Sequence, residues 1–152
     1  MTGGGKMAIF KVRMVFGLVL ILAGFLFDFC FLAPGISNAF KSDPAAYLNS
    51  FSRYMFDLTK TYMIILGLLN VALSFIPMLF LGAGSGKTDW IILGLMVAGS
   101  VVFIFAGLWY AAAGPSFKWE TRCTVLTLGL CGIFLSIGLE IYRILFRTGA
   151  RI

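Results

Sequence analysis

The sequence predicts an all-α integral membrane protein: a bundle of four spanning helices, with one amphipathic interfacial helix in the first loop. Three observations carry this expectation. Hydrophobic residues make up 61% of the 152 positions and charged residues 12%, against about 45–50% and about 25% in soluble domains. Apolar runs of about twenty residues, the length that carries a helix across about 30 Å of hydrocarbon, occur four times. The basic residues stand mostly singly near the ends of these runs, where they meet headgroup phosphates and set topology. The length suits a single domain spanning 1–152.

Residues 1–13 read as a short basic tail with Lys6, Lys11 and Arg13. The first span is expected at Met14–Ala33, closed by Pro34-Gly35. It exceeds the about 7–15 apolar residues of a secretory leader, so a retained span is expected. Gly17, Ile21, Gly24 and Asp28 fall on one face at helical spacing, which turns Asp28 toward the bundle.

In the first loop, Ser42-Asp43-Pro44 has the composition of a helix start, with Asp43 as cap and Pro44 in the first turn. Tyr47, Leu48, Phe51, Met55 and Leu58 then recur at three- and four-residue spacing, which predicts an amphipathic helix over about 44–58. The pattern leaves open whether it is separate from the second span, expected at Thr61–Leu81. Within that span Pro77 predicts a bend, and Asn70 requires a polar partner, for which Ser100 and Thr127 are candidates.

Residues 82–89 contain Gly86-Lys87-Thr88, but Leu81 occupies the position where a phosphate-binding loop needs its first glycine. No nucleotide is expected there; the stretch reads as a hairpin in which Thr88 or Asp89 caps the third span. That span, Trp90–Tyr110, begins and ends in interfacial aromatics, and its Gly94 and Ala98 predict close approach of another helix. Ser116 is a candidate cap for the fourth span, Cys123–Tyr142. There Gly129, Gly132, Ser136 and Glu140 share a face expected to pack against protein, while Leu126, Leu130 and Phe134 are expected to face lipid.

The chain has no histidine, which removes imidazole-based metal sites and general bases. Neither a metal nor a cofactor is expected, and the scattered charge gives no nucleic-acid patch. The candidate ion- or proton-binding residues are Asp28 and Glu140, because an acid within a span is costly unless paired, hydrated or protonated. Glu140 has Arg143 three residues on, with Lys11 or Arg13 at similar depth; Asp28 has Arg122, Lys118, Arg53 and the Tyr110 hydroxyl near its end of the bundle. Asn70, Ser100, Thr127 and Ser136 are read as intramembrane polar packing. Cys30 and Cys123 fall near the same end of their spans, a possible disulfide if that side is oxidising.

Lys6, Lys11, Arg13, Lys87, Arg143, Arg147 and Arg151 fall on one side, and Lys41, Arg53, Lys60, Lys118 and Arg122 on the other. This excess predicts cytoplasmic termini. The leading expectation is a non-enzymatic accessory or scaffold subunit, or a self-associating bundle, with lipid and other transmembrane helices as partners in a homo-oligomer or larger membrane complex. The alternative is a small oligomeric proton- or cation-coupled transporter or channel using Asp28. A lipid-modifying enzyme would draw on Ser116, Tyr110 and Glu120.

Overall fold

A computed structural model describes residues 3–27, 29–30, 34, 50–79, 87–114 and 118–148. Four helices make up the described chain: α1 Gly3–Phe27, α2 Phe51–Leu79, α3 Lys87–Ala113 and α4 Thr121–Thr148. The shortest has 25 residues, about 37 Å at 1.5 Å per residue. All four are long and apolar enough to cross a membrane.

The outward surface supports the same conclusion. Leu18, Leu22 and Phe25 on α1, Ile91 and Phe105 on α3, and Leu128, Phe134 and Phe146 on α4 all point away from the bundle and are exposed. A soluble monomer does not present so extensive an apolar surface to water. In hydrocarbon the same side chains are at home, and the backbone polar groups are satisfied within each helix. The protein is an integral, multi-pass membrane protein.

Several helix ends follow local chemistry. Ser50 caps α2: its Oγ accepts from Arg53 N at 3.3 Å and its carbonyl from Tyr54 N at 3.2 Å. Gly114 closes α3 at φ 81°, a left-handed conformation suited to glycine, and donates to Tyr110 O at 3.1 Å. The carbonyl of Glu120 accepts from Cys123 N and Thr124 N and opens α4.

The helix bounds differ from the sequence expectation at the starts of α1 and α2. The basic tail is helical from Gly3 despite Gly3-Gly4-Gly5, and Ile9 and Arg13 on it point inward. Residues 51–58 are the first turns of the same helix as the second span; the proposed start at Asp43-Pro44 lies outside the described residues, as does Ser116. At its other end α2 runs through Pro77 to Leu79, with Pro77 inside the span as expected.

The bundle is built from two tight hairpins, α1 with α2 and α3 with α4, joined chiefly along α2 and α3. Glycine makes both hairpins close. A Cβ at Gly17 would lie 2.6 Å from Gly67 O, and one at Gly67 would lie 2.7 Å from Gly17 O. Likewise a Cβ at Gly99 would lie 2.9 Å from Gly129 O. Between the hairpins, the rings of Tyr62 and Phe103 meet edge to face at 5.1 Å. The core cluster takes Leu20 from α1, Leu66 from α2, Met96 and Phe103 from α3 and Ile133 from α4.

Two packing expectations are corrected. Gly94 and Ala98 face outward, with nothing within 4 Å of a Cβ at Gly94; the close approach on α3 is at Gly99. Leu126 and Leu130 are partly buried against the core rather than turned wholly to lipid, and only Phe134 of that trio is exposed. The face of α4 carrying Gly129 and Ser136 lies against α3, which places the adjoining leucines at the edge of the interface.

Candidate functional site: a buried charge cluster

The helices bring four ionisable side chains together at one end of the bundle. Arg13 comes from α1, Asp89 from the first turn of α3, and Glu140 and Arg143 from α4. Their exposures are 2%, 5%, 1% and 6%. Arg13 Nη1 lies 3.2 Å from Glu140 Oε1. Arg143 Nη1 lies 3.3 Å from Glu140 Oε2 and 2.5 Å from Asp89 Oδ1. Arg13 Nη1 also donates to the carbonyl of Leu73 on α2, at 3.2 Å. One connected set of contacts therefore involves all four helices.

Helical register explains why these residues converge. Arg13, Gly17, Leu20, Gly24 and Phe27 occupy one stripe of α1, and all five are buried. Asp89, Ile92, Met96, Ser100 and Phe103 do the same on α3, as do Gly129, Ile133, Ser136, Glu140 and Arg143 on α4. Asp89, Glu140 and Arg143 lie at the end of their core stripes, while the α1 stripe continues past Arg13 to the buried Ile9. By rise per residue, Arg13 and Glu140 each lie about 9 Å inside their spans.

Two arginines balance two carboxylates. Both oxygens of Glu140 are engaged by arginine, and Arg143 bridges the two acids. In a low-dielectric interior such pairs gain Coulomb energy but lose hydration, so the arrangement fixes which helices meet more surely than it adds stability. One turn further in, Ser136 Oγ donates to Ile92 O at 2.9 Å and ties α4 to α3.

The other candidates fall as follows. Asp28 lies outside the described residues. Asn70 is fully buried, but its Nδ2 donates to Leu66 O of its own helix at 2.8 Å, not to Ser100 or Thr127. Ser100 is fully buried, and Thr127 is exposed and donates back to Cys123 O at 2.8 Å. Both residues use the i−4 carbonyl of their own helix. Cys30 and Cys123 are not joined; Cys30, Cys123 and Cys131 are free thiols, and the Cys123 thiol pairs with the Tyr110 hydroxyl.

For two of the four cluster residues the sequence offers another role, although Arg13, with Lys11 as the alternative, is also a candidate partner of Glu140. Asp89 reads from local chemistry as a helix cap, and Arg13 as part of a basic tail. The signal that identifies them is phase: each continues the apolar stripe of its helix at seven-residue spacing, Arg13 to Leu20 and Asp89 to Met96.

The opposite end carries a second polar group. The Arg122 guanidinium lies over the Tyr110 ring, 5.0 Å from its centroid, and donates from Nη1 to Gly114 O at 2.9 Å. Its Nε lies 2.6 Å from Glu120 Oε2. Two of the groups considered for Asp28, Arg122 and Tyr110, thus have partners of their own. An open cavity of 450 Å³ beside them is lined by Trp109, Ala113, Trp119, Glu120, Thr121 and Arg122.

Among the described residues no group of three or more His, Cys, Asp or Glu side chains is arranged to hold a metal ion. No family model, curated protein or solved structure matches the chain.

Proposed function

We propose that the chain is a non-enzymatic membrane subunit, an accessory or scaffold bundle, with both termini in the cytoplasm. The observation that supports this reading is the mutual engagement of the buried charges. Arg13, Asp89, Glu140 and Arg143 contact one another across three helices, and both Glu140 oxygens already face arginine. A carboxylate so engaged is poorly placed to take up and release a cation, whereas the same contacts suit a device that holds helices in register. The outward apolar faces are available to lipid and to helices of other chains.

Native mass spectrometry of the protein, extracted gently from its own membrane, tests the proposal. A stoichiometric partner of another sequence is the expected result for an accessory subunit, and a homo-oligomer for a self-associating bundle. pH-dependent cation flux in vesicles, abolished by Asp28→Asn, would replace this reading with transport, whether the chain is alone or a homo-oligomer. Cytoplasmic termini predict that a reporter fused to either end is protected in intact cells.

A further inference from the structure

The guanidinium group has three edges, and the edge made by Nε and one Nη is the one that grips a planar or tetrahedral oxyanion with two parallel bonds. Arg13 and Arg143 both contact their carboxylates through Nη1 alone. Nε and Nη2 of each are buried and have no hydrogen-bond partner. Two gripping edges, on arginines anchored to the two oxygens of one carboxylate, are thus unused. Leaving charged donors without acceptors in a low-dielectric interior is costly.

The surrounding charge favours an anion. Lys11 lies two residues before Arg13 and Lys87 two residues before Asp89, so the described residues bring four basic groups against two acids to this end. Both lysines are exposed, Lys87 as the first residue of α3 and Lys11 within α1.

We propose that Arg13 and Arg143 form a binding site for a phosphate-type oxyanion, held through their Nε–Nη2 edges at the terminal end of the bundle. The chemistry is the same whether the phosphate is inorganic or belongs to a lipid headgroup. The site would make the closed bundle ligand-dependent, and it stands whether or not the chain is an accessory subunit.

The test uses the full chain, purified in detergent and stripped of lipid. Its thermal midpoint is followed while inorganic phosphate, or a short-chain phosphatidic acid, is added against chloride at equal ionic strength. A saturable rise with phosphate supports a free-anion site; a rise with phosphatidic acid alone supports a headgroup site. Arg143→Lys keeps the positive charge beside Asp89 and Glu140 but lacks the gripping edge, and is expected to weaken binding at least about tenfold. Arg13→Lys is the second variant, with the same expectation. No rise with either ligand beyond that with chloride would overturn the proposal. So would undiminished binding by both arginine variants.

Discussion

Arg13 Nη1 meets Glu140 Oε1 at 3.2 Å across 127 positions of chain, although α1 and α4 are not among the closely packed helix pairs. The first and last helices are joined by reach of side chain rather than by backbone contact. Glu140→Ala therefore removes the acceptor shared by two buried arginines. The expected loss is about 3–5 kcal/mol of stability, the cost typical of leaving a buried charge uncompensated. Unfolding in denaturant from mixed micelles would measure it. Replacing Arg13 by Met and Glu140 by Leu together is expected to cost less than either single change, and a double-mutant cycle reads this coupling directly.

Glycine positions separate into two groups. Gly99→Ala forces a Cβ to within 2.9 Å of both Gly129 O and Ile133 N, so the α3–α4 hairpin must open. Overpacking of this kind costs about 1–3 kcal/mol. Gly94→Ala meets nothing within 4 Å and is expected to be neutral or slightly stabilising through helix propensity. Thermal melts of the two variants side by side check the contrast.

Ser136→Ala removes the inter-helix bond to Ile92 O. Polar contacts between membrane helices average about 0.6 kcal/mol and reach about 1.7, so a small loss is expected. Thr127→Ala removes only a bond within its own helix and is expected to change stability less. Equal losses for both would show that the cross-helix bond contributes nothing beyond local effects.

The thiols give a chemical check. Denatured, unreduced protein should bind three equivalents of maleimide, because Cys30, Cys123 and Cys131 are all free. Recovery of two of the three only after reduction would establish a bridge in the cellular protein.

The fold was legible because membrane spans are written in length and hydropathy, which need no tertiary information. The inward face of α4 was legible too, since Gly129, Ser136 and Glu140 share a helical stripe. Asp89 was not. A carboxylate in the first turn of a helix has a sufficient local explanation as a cap, and only the arrival of Arg143 from 54 positions away in the sequence reveals the other role. Arg13 was legible only as one of two candidates for Glu140, and the buried stripe it shares with Leu20 decides against the exposed Lys11. The partner of Asn70 was assigned across the interface, whereas its own helix supplies the acceptor.

The glycine crossings carry a consequence for biogenesis. Each joins two helices adjacent in the chain, Gly17 to Gly67 and Gly99 to Gly129, so each hairpin can zip as it leaves the insertion machinery. The charge cluster draws on α1, α3 and α4 and completes only after the last helix has entered. Until then Arg13 has the carbonyl of Leu73 on α2 but lacks the Glu140 carboxylate. A truncation before residue 140 would leave Arg13 without the Glu140 carboxylate.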